Sequence, residues 1–307
     1  MNKCKIIVYH YVRHLKNTQY KIYGMEVEKF EKQIRTLKKK YNPLGAEEII
    51  EVINNDKPIA KNSMMFTFDD GLKDHYKYVF PILKENKIEG VFFPSGKPIQ
   101  EKMVLDVHKI QFILGSINNS SSVILEIKKN LNDFRKKFKI KSFDSYYKEY
   151  AIEDRFDTKE VTFIKNLLQK GLPLILRSKL VNNLFKKYVT SDEEKFSKKL
   201  YLSINEIYKM KKSGMVFGSH GYSHYWLSTL SEKELSKELK NNEQFLKKIS
   251  GNYKIICYPY GSYNDLVIKK ISMQDFQFGL TTEVGDAILN RENRFKLKRF
   301  DCNDFIV

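Results

Sequence analysis

Short apolar runs rich in β-branched and aromatic residues recur along this chain with helix-patterned stretches between them, and this alternation constrains its fold more than any other feature. Parallel strands cannot be joined by a tight turn and need a long crossover, usually a helix. Seven runs read as strands: near Ile6 to Tyr9, Met64 to Phe68, Gly90 to Phe93, Met215 to Gly218, Ile255 to Tyr258, Gln277 to Thr281 and Phe295 to Arg299. An α/β fold is therefore expected. Val27, Phe30, Ile34 and Leu37 recur at spacings of three and four between Met25 and Tyr41, which predicts an amphipathic helix packed outside the sheet. Ser203 with Glu206 and Ser231 with Glu234 read as capping boxes opening two further helices, and Gly214 and Gly251 suit helix stops.

Residues 97 to about 200 interrupt the alternation with a Ser/Asn-rich turn at Ser116 to Ser122, dense lysine and helical periodicity. They read as a mainly helical insertion within a single domain spanning residues 1–307, serving as a lid over a site or as a partner surface. Gly90 to Lys97 ends in Gly-Lys but misses the phosphate-loop spacing, and Pro98 stands where a hydroxyl residue should hold magnesium, so no nucleotide loop is expected there.

Of the 307 residues 42% are hydrophobic and 30% charged, with no apolar stretch near the ~20 residues that span a bilayer, which describes a globular chain. The formal charge is +18, yet only eight of the 55 basic residues are arginine. Phosphate and base recognition favour the planar arginine fork, so a diffuse lysine excess argues against specific nucleic-acid binding. It suits peripheral contact with an anionic membrane surface or an anionic substrate. Cys4, Cys257 and Cys302 are odd in number and lack CxxC spacing, which indicates neither a disulfide framework nor a thiolate zinc site. The segment Met1 to His10 has too short an apolar run for a secretory signal, and the expected location is cytoplasmic, with membrane association through surface charge.

Three segments carry chemistry. Thr67-Phe68-Asp69-Asp70-Gly71 follows the second run and puts two adjacent carboxylates at a strand end. Neighbouring side chains on a strand face opposite ways, so the strand must be ending for both to reach one site, and their repulsion calls for a cation or hydrogen bonds. Gly218-Ser219-His220-Gly221-Tyr222-Ser223-His224 follows the fourth run, with two of the chain's six histidines four residues apart. They read equally as hydrogen-bonded histidines or as ligands biting one ion. With Asp70 they would make three N/O ligands and leave one position open, as in catalytic zinc sites. Cys257-Tyr258-Pro259-Tyr260-Gly261 follows the fifth run, where the Pro259 turn would offer Tyr260 and its N–H to a substrate. All three lie after strands, on the face where parallel barrels build their sites.

On these residues the sequence resembles the polysaccharide deacetylases of carbohydrate esterase family 4, the NodB homology domain, over residues 1 to 96 and 201 to 305. The resemblance implies a distorted (β/α)7 TIM-like barrel carrying the helical insertion. It implies a divalent ion, zinc above others, held by Asp70, His220 and His224, with Asp69 as general base. The TFDDG motif is complete, while the His-(Ser/Thr)-x-x-His motif has Gly221 in place of the hydroxyl residue. Where many members have Arg-x-Pro-Tyr this chain has Cys257-Tyr258-Pro259-Tyr260, like a Tyr-Pro-Tyr-Gly subgroup that often has Tyr-His at the first strand, here Tyr9-His10. The late Leu-x-His motif, source of the usual general acid, is replaced by Leu297-Lys298-Arg299-Phe300-Asp301. Arg299 is therefore expected to pair with Asp69, and His10 or His108 to protonate the leaving nitrogen.

The expected reaction is hydrolysis of an N-acyl group, most often N-acetyl, on an amino sugar of a glycan or a lipid-linked sugar precursor. Two degraded motifs keep open the alternative of a catalytically inactive sugar-binding or assembly protein on the same barrel.

Overall fold

Nine strands occur among the described residues, which are 2–16, 18–153, 157–251 and 253–306 of a computed structural model. They are β1 (Lys3–Tyr9), β2 (Asn42–Pro43), β3 (Ser63–Asp70), β4 (Gly90–Pro94), β5 (Val216–Phe217), β6 (Ile255–Cys257), β7 (Phe278–Leu280), β8 (Ala287–Ile288) and β9 (Phe300–Asp301). The chain divides into two compact units, one made of residues 1–14, 24–102 and 197–307, the other of residues 15–23 and 103–196. Every strand lies in the first unit.

Parallel pairing joins β1 to β3, β3 to β4 and β4 to β5. A single parallel bridge from Ser219 to Ile256 carries it on to β6, which pairs with β7. Leu280 bridges Leu297, and β9 returns in parallel to β1. The fold is thus mixed α/β with a mostly parallel sheet whose pairings form a circuit, and the antiparallel β8 is an edge addition to β1.

The last expected strand, Phe295 to Arg299, is displaced: regular pairing falls on Phe300–Asp301. The cause is a change of partner along the segment. Leu297 exchanges backbone bonds with Gly279 and Thr281 on the β7 side, the Arg299 N–H donates to the Glu283 carbonyl, and only then does the chain reach β1.

Because helices cover the outside, both faces of β3, β4, β5, β6 and β7 are dry, and every residue of these five strands is buried. Alternation then sorts the side chains into two clusters. Met65, Val91, Phe93, Ile255, Cys257 and Leu280 pack with Ile49, Val52 and Ile53 of the helix Ala46–Asn55. Phe66, Phe68, Phe92, Ile256 and Tyr258 pack instead toward the surrounding helices, where Phe30, Ile34 and Leu37 of the helix Val27–Lys40 are buried. Both capping boxes form, at Ser203 with Glu206 and at Ser231 with Glu234, and Gly214 and Gly251 have φ of +88° and +66°.

The second unit is helical, with helices at Asp106–Gly115, Ser121–Arg135, Phe143–Tyr150, Lys159–Asn166 and Leu174–Tyr188. Its buried Lys109 bonds Asn182 and Glu193. No helix among the described residues is long and apolar enough to cross a membrane.

Candidate active site

β3 delivers two carboxylates to one place because its alternation is broken at the end. Asp69 keeps the inward direction of Met65 and Thr67. Asp70 takes φ +73°, outside the strand region, and Gly71 follows at φ +65°, where an added Cβ would lie 2.5 Å from Pro94 Cβ. His220 and His224 arrive on the turn after β5. The Nε2 atoms of His220 and His224 stand 3.6 and 3.4 Å from Asp70 Oδ1, and all three side chains are buried.

These three residues fit a divalent ion on their own geometry. Bonds of about 2.0–2.2 Å at tetrahedral angles separate ligand atoms by roughly 3.3–3.6 Å, which matches both separations. His220 Nδ1 lies 2.9 Å from the Cys257 carbonyl, which can only accept, so Nδ1 carries the proton and Nε2 turns a lone pair toward Asp70. Burial pushes the His220 imidazole down to about 4, which keeps that ring neutral at pH 7. Lone pairs on carboxylate and imidazole facing each other in a dry site are repulsive without a cation between them.

Beside this set Asp69 is bound by Arg299, whose Nη1 and Nη2 donate to Oδ1 and Oδ2 at 2.9 and 2.8 Å. Burial alone would raise the Asp69 carboxyl, but the guanidinium overrides it and holds the group at about 2. The Cys257 Sγ stands 3.4 Å from Asp69 Oδ2; burial lifts its thiol well above the ordinary range, so it donates. Asp69, His220 and Cys257 also converge closely enough to hold an ion, but their carboxylate is taken by Arg299 and their sulfur is protonated. A third group, His14, Glu26 and Glu28, lies away from the core, its His14 and Glu28 exposed.

His10 Nε2 lies 4.0 Å from Asp69 Oδ2 with its side chain about half exposed, 48%. His108 is a fully buried residue of the helix Asp106–Gly115 in the second unit, a burial that speaks against its serving as an acid. Pro259 is buried and has no N–H, so its part is to shape the turn that carries Tyr260 and not to donate to an oxyanion. Tyr260 remains half-buried at φ +58°, its ring 4.7 Å from that of His224 and stacked at 4.4 Å on Trp226. Asp70, His224 and Tyr260 are all non-glycine residues with left-handed backbone, a strain of about 1–3 kcal/mol each that concentrates at functional sites.

Supporting groups escaped the sequence reading. Glu238 accepts the Tyr222 and Ser223 N–H groups at 2.8 and 2.6 Å and fixes the turn between the two histidines. Its signal was a carboxylate on the apolar stripe of the helix Glu232–Ile249, beside Leu235 and Leu239. His75, also buried, bonds the His10 carbonyl at 2.9 Å. Gly221, the departure from the histidine motif, has φ +68°, and an added Cβ would meet Pro259 Cγ at 3.3 Å.

Comparison with known proteins gives the family of the chain. The polysaccharide deacetylase family model matches residues 56–130 and 185–279, more than half of the chain, which therefore belongs to that family. Poly-beta-1,6-N-acetyl-D-glucosamine N-deacetylase of Escherichia coli (strain K12) is 36% identical over 56 residues, 18% of this chain and 8% of that protein. The chain matches less than a quarter of the length of its first curated relatives. Two solved structures share the fold: the Streptococcus pyogenes deacetylase PplD in complex with acetate (TM-score 0.59, 18% identity, 97% of this chain and 92% of that one) and IcaB from Ammonifex degensii (0.56, 16%, 99% and 94%).

Proposed function

We propose that this chain is a metal-dependent hydrolase that removes an N-acyl group, N-acetyl first among them, from an amino sugar of a glycan or lipid-linked sugar. The observation that carries this reading is the Asp70, His220 and His224 donor set with a guanidinium-held carboxylate, Asp69, beside it.

A divalent ion bound to these three side chains, zinc being the expected one, supplies a Lewis acid that polarises the acyl carbonyl and acidifies water. Asp69 accepts the proton that water loses as its oxygen attacks the carbonyl carbon, and Arg299 keeps that carboxylate ionised and aimed. The Tyr260 N–H, on the turn fixed by Pro259, faces the developing oxyanion, a type of donor worth about 3–4 kcal/mol of barrier in other enzymes. His10 gives a proton to the nitrogen as the C–N bond breaks, leaving a free amine and a carboxylic acid. Residues 97 to about 200 act in this reading as an insertion within the single family domain; the family match is interrupted inside them, between 130 and 185.

The test is acid release from an N-acetylglucosamine oligomer by protein of known metal content. Stoichiometric metal with turnover that vanishes in Asp69→Ala supports the hydrolase. Glycan binding without turnover supports instead an inactive sugar-binding protein.

A further inference from the structure

We infer that Asp74 and His75 are positioning residues that clamp residues 10–13 to the turn after β3 and so hold His10 beside Asp69 for proton delivery; this rests on the deacetylase reading above. The His10 ring does not fix its own direction. Its Nε2 lies 4.0 Å from Asp69 Oδ2, too far for a direct hydrogen bond, and its side chain is 48% exposed. What is held is its backbone. His75 Nε2 lies 2.9 Å from the His10 carbonyl, which can only accept, so Nε2 carries the proton. Asp74 accepts the Arg13 Nε–H at 2.6 Å and the Val12 N–H as well. Met25 closes the segment from the other side, its N–H on the Tyr11 carbonyl and its carbonyl on the Arg13 N–H, both at 2.9 Å.

Packing does not account for a histidine at position 75. The ring is fully buried against Phe68 and Phe92, 5.7 Å from each, and its Nδ1 has no hydrogen-bond partner among the described residues. Burial pushes the imidazole down to about 4, which makes it a neutral donor at pH 7. Phenylalanine would fill the same space without leaving a polar atom unpaired in a dry core. What histidine adds is the one N–H on the His10 carbonyl. The backbone is irregular at the same point, since His75–Val79 form a single turn of π-helix, a rare form that recurs at functional sites. Asp74 and His75 follow the candidate ligand Asp70 by four and five residues, so one short stretch fixes both the carboxylate for the ion and the proton donor.

Two substrates separate proton delivery from the rest of the chemistry. An amide needs a proton on its leaving nitrogen, whereas 4-nitrophenyl acetate releases a phenolate that needs none. Acid release from an N-acetylglucosamine tetramer and from this ester is measured on the full zinc-loaded chain, for wild type, His75→Phe, His75→Gln, Asp74→Asn and His10→Ala. In His75→Phe the ratio of amide to ester kcat should fall about 10²-fold, the cost of misplacing a catalytic group by about 1 Å, with little change in KM. His75→Gln keeps an N–H at similar reach and should restore most of the ratio, and Asp74→Asn should lower it in the same direction. Adding His75→Phe to His10→Ala should lower it less than about twofold more, because the group being positioned is gone. A ratio unchanged in both His75→Phe and Asp74→Asn, or a loss that multiplies with that of His10→Ala, overturns the inference and leaves the hydrolase standing. Wild type inert toward both tetramer and ester removes the hydrolase, and the proton-delivery role with it.

Discussion

Arg299 grips both carboxylate oxygens of Asp69, at 2.9 and 2.8 Å, in a pair where neither residue exceeds 3% exposure. The two residues are 230 positions apart in the chain. Removing one partner of such a buried pair leaves an uncompensated charge, which costs about 3–5 kcal/mol, whereas removing both costs far less. Arg299→Met should lower unfolding stability by that amount in urea, and adding Asp69→Asn should recover over half of it. Arg299→Lys keeps the charge but cannot form the two-pronged contact; with the base misaimed, kcat should fall about 10²-fold while KM changes little.

Ion binding should be readable without turnover. Zinc at a hundred times its dissociation constant adds about 2.7 kcal/mol to the stability of a protein that binds it only when folded, so the melting temperature should rise by several degrees on zinc addition and return on chelation. Asp70→Ala and His224→Ala should abolish the rise. Asp69→Asn and Cys257→Ala should keep it, because neither residue belongs to the set with open lone pairs. A rise lost in Cys257→Ala would reassign the ion to Asp69, His220 and Cys257.

The strand positions and the helix ends were legible because each has a local cause. Apolar runs mark β3 and β4, and Ser203 and Ser231 each have a glutamate three residues on that closes the capping box. The carboxylates and histidines could be placed after strands for the same reason. What the pattern could not give is which side chains meet across the circuit: the stacking of Trp226 on Tyr260, the thiol of Cys257 on Asp69, or the change of partner at Arg299 that moves the last strand to Phe300–Asp301. Those depend on long-range register, which periodicity does not encode. The burial of His108 was hidden for a related reason, since helical periodicity inside residues 97 to 200 does not say which residues are fully buried.

Glu206 provides a pH test away from the site. It accepts from Ser203 N–H and hydroxyl and from Lys73 Nζ at 2.6–2.8 Å. Burial opposes its ionisation, but Lys73 and Ser203 outweigh it and hold the carboxyl below its ordinary value. A folded value below the unfolded one, about 4.3, means a contribution that is complete above that pH and is lost as pH falls through the folded value. Glu206→Gln keeps an acceptor oxygen for the capping box but loses the charge facing Lys73, and should cost about 0.2–1 kcal/mol at pH 7. The gap between the variant and wild type in chemical denaturation should close below about pH 4; a gap unchanged at pH 3 would assign it to packing.

Glu238 should matter for ion binding although it is not one of the three candidate ligands. Its Oε1 accepts both the Tyr222 and the Ser223 N–H at 2.8 and 2.6 Å, and the residue is buried, with 5% exposure. In Glu238→Leu these two amides lose their acceptor inside a dry turn, at about 1–3 kcal/mol for each unsatisfied group. The turn they belong to carries His220 at one end and His224 at the other, so the loss is paid in the spacing of the two imidazoles. Glu238→Gln retains one carbonyl oxygen in the same position and should keep most of the stability. The expected outcome in zinc titrations is therefore graded: near-wild-type affinity for Glu238→Gln and an affinity reduced about 10- to 100-fold for Glu238→Leu, the range seen when groups supporting metal ligands are removed. Equal affinity in Glu238→Leu and wild type would show that the two histidines are held by the strand ends alone.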